Sequence, residues 1–557
     1  MLLADSRVDP SLHSNIAIRL ASQLGHVEIV EMLIADPRVD PVAGKNCPIC
    51  NACENGHNNV VEILLADSRV DPSVNDNQAI RFAAQNGHQK IVEMLLADSR
   101  VDPSANGNYA IQHAAFKGNL EVVKTLLRDP RVNPSASHNN PIQAAAANGH
   151  LEVVKALMQD ARADPSDCTN AAILFAAAFN HHRVIEFLLS DSRVDPSDLD
   201  NEVIRIACGF NKSENGHNEV VKILLSDPRV DPSANDNQAL QCAAQNGHTK
   251  IMEMLLTDSR VDPSAGDNYA VRFAAKNGHH KIVEMLLGDS RVDPSVCDNY
   301  AIRYAAENGH EEVVEHLLAD PRVDPSFGDN YAIRYAAFYG HHKIVEILLG
   351  DSRVDPSANE NDAIGYAAEN GHHRIVEMLL ADSRVDPAVY DNCTIQSAAA
   401  SGHHKVVELL LADSRVDPSD SDNSAIRYAA TYGHHKVVKM LLADSRVDPT
   451  VMRNDAIQYA AVCGHHKVVE LLLADSRVDP SDRENIALKL AVSDGHHKVV
   501  KLLLADPRVD PSGFTSDAIR IASERGYAEI IELFLEDSRM HASVRKIHTI
   551  PVASELI

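Results

Sequence analysis

The chain predicts an all-α solenoid of stacked helix-turn-helix units joined by short hairpin-like loops, and three observations carry that prediction. A proline recurs at Pro10, Pro41, Pro72, Pro103, Pro134, Pro165 and Pro196, then at Pro232, Pro263, Pro294 and on to Pro511, with every interval 31 residues except one of 36. A period of that size is the mark of an array in which one short unit is stacked on copies of itself. Between the prolines, apolar residues fall in two short runs with helical spacing. A glycine, as at Gly25, Gly87, Gly118, Gly278 and Gly464, divides one run from the next.

Residues Asn77 to Ser104 illustrate the elements in order. On a helical wheel Ala79, Ile80, Phe82, Ala83 and Ala84 fill one arc of more than half the circumference, with Arg81 and Gln85 opposite. Such a helix is sandwiched between neighbours, its alanines allowing close approach. Two residues before the Ala-Ile pair an asparagine recurs in sixteen cycles, among them Asn15, Asn46, Asn77, Asn108, Asn237, Asn330 and Asn485, and Ser516 takes its place in the last. Both are good N-caps, which predicts that these side chains accept from the exposed N–H groups of the first turn. The glycine slot holds Asn180 in the sixth unit, and the exchange predicts a positive φ in the interhelical turn. The second helix presents Ile91, Val92, Leu95 and Leu96 on one face and turns Lys90 and Glu93 to water. Helices of about eight to ten residues do not persist alone in water, so stability has to come from stacking.

The ends depart from the period. Met1 to Pro10 repeats Met94 to Pro103 identically, so residues 1–11 read as a partial unit that begins inside a second helix, implying an upstream truncation or a shifted start. An array of seventeen units is expected over 12–539, with extra residues near 209–213 accounting for the 36-residue interval and 540–557 forming a non-repeat tail. The extra residues lengthen an interhelical turn and read as a tolerated insertion or a contact loop.

The ordered set of a preceding x-A-A helix, a glycine-histidine turn, a following I-V-x-x-L-L helix and a turn-rich return loop resembles the ankyrin repeat. The opening differs from that family's usual T-P-L-H, being mostly A-I-R here with proline only at Pro48 and Pro141, and the unit is two residues short of the usual 33. A-D-S-R stands where a glycine usually follows the second helix, so a different hairpin is expected. The shortened D-S-R-V-D-P-S arrays are similar to those plentiful in giant DNA viruses and protists. The resemblance implies a non-enzymatic scaffold that binds partner proteins on a concave face and loop tips, a monomer in the cytoplasm (a host's cytoplasm for a viral protein). The other readings are a substrate-recognition adaptor of a ubiquitin ligase, as some viral ankyrin proteins resemble, and a mechanical spacer.

Composition points the same way. The formal net charge is −27, spread along the array, which repels phosphate backbones and anionic head groups; nucleic acid and membranes are therefore not expected partners. The N-terminus lacks the pattern of a secretory signal, and the apolar runs are too short to span a bilayer. Nine cysteines, an odd number scattered over different units, fit a reducing compartment.

Candidate chemistry is sparse. Cys47, Cys50 and Cys53 have the spacing of a zinc or cluster motif, but on a helix they climb about 9 Å and cannot easily converge on one ion, so buried core slots are the simpler reading. Histidine pairs such as His279-His280, His341-His342 and His403-His404 are too far apart between units to share a metal. The resemblance instead makes the first histidine of each pair a bond to backbone across units, with the second in solvent. Protonating 29 histidines, many at helix starts, predicts loosening below about pH 6. No nucleophile-base pair, phosphate loop or cofactor motif stands out from the repeat, so neither catalysis nor a cofactor or metal is expected.

Comparison among the units separates scaffold from surface. An arginine stripe that includes Arg81, Arg303, Arg334, Arg427 and Arg520 could read acidic or phosphorylated peptides, or could pair locally, as Arg303 with Glu307 at i, i+4. The two residues before each glycine vary most. By the resemblance they line the concave face, which makes Phe116, Lys117, Phe179, Phe338, Tyr339 and Tyr432 candidate partner-binding residues together with Arg303, Arg334 and Arg427.

Overall fold

The computed structural model describes residues 9–42, 48–209, 217–537 and 539. The start of the partial unit 1–11, Cys47, the extra residues 210–213 and the tail 540–557 lie outside the described residues. Among those described, 34 α-helices alternate with turns and there is no strand. The chain divides into two bodies, Met1–Ala270 with Asp289–Val292 and Val271–Gly288 with Asp293–Ile557. Both are built from the same unit.

In the first body, Val74–Gln85 and Gln89–Ala97 form one unit. Val74–Gln85 packs on Ala105–Lys117 of the following unit, and Gln89–Ala97 packs on Leu120–Leu127. Ala79, Ile80, Ala83 and Ala84 of the first helix and Ile91, Val92 and Leu95 of the second are fully buried. Fully burying an aliphatic side chain of this size contributes about 1.5–3 kcal/mol, and Val74–Gln85 packs against the first helices of both the preceding and the following unit. The second body repeats the arrangement, for example with Phe327–Tyr339 and His342–Leu349.

The return loop is not the helix cap that the asparagines predict. Among the described residues most first helices open on one left-handed turn, which Thr515–Arg525 lacks: Asn75, Asp76 and Asn77 have φ of 52°, 57° and 59°, and Cys297, Asp298 and Asn299 have 50°, 62° and 55°. For L-residues this costs roughly 1–2 kcal/mol each, so the surroundings must over-determine it. Within the turn, Asn77 N–H donates to Ser73 O at 2.9 Å. The buried asparagine side chain then reaches out of its own unit, its Oδ1 accepting from the Asp102 N–H at 2.8 Å, 25 residues on. Asn330 does the same with Asp355 at 2.7 Å. The side chain thus bonds between units rather than capping a helix.

The A-D-S-R segment makes the second inter-unit bond. Arg100 pairs with Asp98, Nε to Oδ1 at 3.0 Å and a terminal nitrogen to Oδ2 at 2.6 Å, while its other terminal nitrogen donates to Val70 O of the preceding unit at 2.7 Å. Arg353 likewise holds Asp351 and reaches Val323 O at 2.7 Å and Leu318 O at 3.2 Å. Arg539 repeats this with Asp537 and Val509 O, so the unit geometry runs through that residue. The paired guanidinium holds these aspartates below the usual carboxylate range, Asp36 at about 2.

The glycine-histidine turn is as the sequence predicts. Gly87 has φ 80° and Asn180, in the same slot, φ 62°. His88 N–H returns to Ala83 O at 2.9 Å, closing the end of the first helix. The His88 ring donates from Nε2 to Glu54 O at 3.0 Å and lies over Gly56, where a Cβ would come within 2.6 Å of it. In the second body His341 bonds Glu307 O at 2.9 Å and covers Gly309. The second histidines, such as His342 and His404, are half-buried rather than fully in solvent.

Candidate functional site

Alanine and isoleucine occupy the buried face of each first helix, which leaves the residue after the arginine and the one before Ala-Ile on its open side. Three successive units read N-Y-A-V-R-F, N-Y-A-I-R-Y and N-Y-A-I-R-Y, from Asn268, Asn299 and Asn330. The spacing i, i+4 puts both rings of a helix on one side. In the second body the rings join in one line. Phe273 meets Tyr300 at 5.8 Å between centroids, Tyr300 meets Tyr304 at 4.1 Å, Tyr304 meets Tyr331 at 6.1 Å and Tyr331 stacks on Tyr335 at 4.0 Å. Tyr335 continues to Phe338 and Tyr366, and Phe338 stands edge-on to Tyr339 at 4.9 Å.

Cations lie along this line. Arg272 sits 5.5 Å from the Tyr300 centroid, Lys276 5.4 Å from Tyr304, and Arg303 5.2 Å from Tyr331 with Phe327 at 5.7 Å. Such contacts contribute about 0.5–1 kcal/mol each where exposed and more once a partner excludes water. The Tyr331 hydroxyl donates to Glu307 Oε2 at 2.6 Å; burial first, then that carboxylate, push its pKa well above the ordinary phenol value.

Of the residues singled out from the sequence, the structure brings Arg303, Phe338 and Tyr339 into this one surface. Tyr339 is 50 % exposed at its end, whereas Phe338 is half-buried between Tyr339 and Tyr366. Arg334 pairs with Asp362 of the following unit at 2.6 Å and also donates to Gly328 O, its side chain only 12 % exposed. Arg427 pairs with Asp455 at 3.4 Å. Arg303 donates to Cys297 O at 3.3 Å, whereas Arg520 makes the i, i+4 pair, with Glu524 at 3.1 Å. Tyr432, 59 % exposed, stands near the His434 ring. In the first body Phe116 and Lys117 are exposed, with Lys117 5.6 Å over the Phe116 ring and His113 stacked on Tyr109 beside them. Phe179 is exposed and makes no ring contact that joins it to this group.

Sequence reasoning missed Phe273, Tyr300, Tyr304, Tyr331, Tyr335 and Tyr366. For all but Tyr366, whose unit reads N-D-A-I-G-Y, the signal was present as the N-Y-A-x-R-aromatic string at the 31-residue period, and its aromatic position was read only as core filling at Phe82. Cys50 and Cys53 lie buried on Pro48–Asn55, in core slots.

Paired helices with cross-unit bonds and a patterned open side define a helical repeat protein. A family model of ankyrin repeats, three copies to the model, matches residues 15–107, 111–202, 204–298, 302–391, 395–484 and 457–546. The chain belongs to the ankyrin-repeat family, whose members are generally protein–protein interaction modules. A search of curated proteins finds no match. Among the described residues no helix is long and apolar enough to cross a membrane.

Proposed function

We propose that this chain is a non-enzymatic scaffold that binds partner proteins along the open side of its first helices and the adjoining turn tips. The observation that carries the reading is the continuous line of rings from Phe273 to Tyr366, flanked by Arg272, Lys276 and Arg303 and ending at exposed Tyr339. Aromatic rings and arginines carry much of the binding energy in protein interfaces because they bury large rigid surfaces at low entropic cost. Phe116 with Lys117, Phe179, Tyr432, Arg334 and Arg427 supply further contact points for a long partner or for several small ones. The net charge of −27 supports protein over nucleic-acid or lipid partners, and the scattered odd cysteines support a cytoplasmic setting.

Cross-linked affinity capture from the native cell tests this, comparing the natural chain with Phe338→Ala/Tyr339→Ala at equal thermal stability. At least one captured protein is expected to fall by about tenfold or more, as loss of a hot spot of 1.4 kcal/mol or more predicts. Equal recovery of every protein would contradict this assignment of the surface.

A further inference from the structure

One pair of adjacent units brings together three residues that no other pair combines. The middle residue of the left-handed turn is acidic in most units, as at Asp76, Asp200, Asp298, Asp329 and Asp422, but here it is His138. In the next unit Asp167 stands where alanine or valine is common, as Asp198, Asp420 and Asp482 do in three other units, and Cys168 opens the turn with φ 54°. Stacking of the two units brings these residues side by side, so that a ring nitrogen of His138, a carboxylate oxygen of Asp167 and the Cys168 Sγ all lie within 4.8 Å of one another. His138 and Cys168 are exposed and Asp167 is half-buried.

The carboxylate is held from behind. Asn139 Nδ2 donates to Asp167 Oδ2 at 2.7 Å, and the Cys168 N–H donates to Oδ1 at 2.7 Å. Asn139 is itself 3 % exposed and fixed by accepting the Asp164 N–H at 2.9 Å. Each carboxylate oxygen keeps a second lone pair for another partner. The Asn139 bond chiefly, with the nearby His138 and Cys168 also contributing, keeps Asp167 below the usual carboxylate range.

We propose that His138, Asp167 and Cys168 are the three protein ligands of a single divalent-cation site suited to zinc(II), with the fourth position left to water. An imidazole and a thiolate select zinc or cobalt over magnesium or calcium, and the carboxylate completes a set of the kind found in open zinc sites. Tetrahedral bonds of about 2.0–2.3 Å place ligand atoms roughly 3.3–3.8 Å apart, a closure that rotation of the exposed His138 and Cys168 side chains supplies. On binding, the Cys168 thiol proton leaves to solvent and Sγ becomes the ligand. Asn139 is the outer partner that orients the carboxylate. Cys297 occupies the place of Cys168 in another unit, but there Asp267 stands for His138 and Val296 for Asp167, so the same site is not repeated.

The test is a cobalt(II) titration of the full chain, followed by absorption. One equivalent is expected to give tetrahedral d–d bands and a thiolate-to-cobalt charge-transfer band, both bleached by zinc(II). Cys168→Ser abolishes the charge-transfer band, His138→Ala weakens binding by more than about tenfold, the loss that removal of even an outer-shell partner can cause, and Cys297→Ser changes neither. All three substituted positions are on turns, and unchanged circular dichroism establishes that each variant folds. Absence of the charge-transfer band in the natural chain, its persistence in Cys168→Ser, unchanged affinity in His138→Ala, or its loss in Cys297→Ser would each overturn the proposal.

Discussion

Asn330 does two things that no local rule joins: it closes a left-handed turn at φ 57°, and its side chain accepts a hydrogen bond from the Asp355 N–H at 2.7 Å in the next unit. Removing the oxygen leaves a partly buried backbone donor unpaired, which costs about 1–3 kcal/mol. Asn330→Ala is therefore expected to destabilise its neighbourhood by that amount in denaturant titration and to speed exchange of the Asp355 amide; an unchanged Asp355 exchange rate would contradict the bond. The importance of this position was legible in the sequence, since sixteen cycles keep it. Its role was not, because the rule for helix starts looks for an acceptor's partner within the same turn, and here the partner lies 25 residues away. Arg303 teaches the same lesson. Sequence spacing offers it Glu307, yet the side chain lies over Tyr331 and reaches Cys297 O, while Glu307 takes the Tyr331 hydroxyl. The cluster of His138, Asp167 and Cys168 is invisible to motif spacing for the same reason, its members being neighbours only through the stack.

At the scale of the element, the glycine-histidine turn joins a backbone requirement to a packing one. Gly309 has φ 82°, and a Cβ there would come within 2.7 Å of the His341 ring. Gly309→Ala pays about 1–2 kcal/mol for the left-handed backbone and further energy for displacing His341, so a loss of at least about 2 kcal/mol is expected in denaturant titration. Both the positive φ and the cross-unit histidine bond were legible, the first from the Gly-to-Asn exchange at Asn180 and the second through the family resemblance. Acid acts on this element too. Burial, followed by neighbouring histidines, lowers the pKa of His310 and His403, although their bonds to Lys276 O and Glu369 O oppose the shift. A histidine whose folded pKa lies below its unfolded value of about 6.5 costs stability as pH falls through that window, because the unfolded chain then binds more protons. The melting temperature is expected to be lower at pH 5.5 than at pH 7.5, and an unchanged value would contradict this. The aspartates of the A-D-S-R and A-D-P-R segments start charged where the histidines start neutral, with the same outcome further down. Their depressed pKa values give stability that is present above the ordinary carboxylate range and lost as pH falls toward about 2, the value for Asp36.

Within each of the two bodies, the bonds that matter run from unit to unit: asparagine side chain forward to the following loop, arginine and histidine side chains back to the preceding carbonyls. With the aliphatic core they make stability a sum over neighbours. The period, the paired helices and their buried faces were legible because each unit repeats the same apolar spacing. The surface was legible only in part. Variation before the glycine pointed to Phe338 and Tyr339, but the longer line from Phe273 to Tyr366 is built from two other positions of the first helix. These also vary, as Asn140 and Glu202 against Tyr300 or Ala144 and Cys242 against Tyr304, and their side chains meet only through the stack. Hydrogen exchange of the full chain carrying Gly309→Ala tests the central claim that each unit is held by those beside it. Loss of protection is expected between about Gly278 and Gly371, with His435–Ala443 and Val74–Gln85 keeping the rates of the natural chain. A uniform loss across all helices, as in a single cooperative globule, would contradict it.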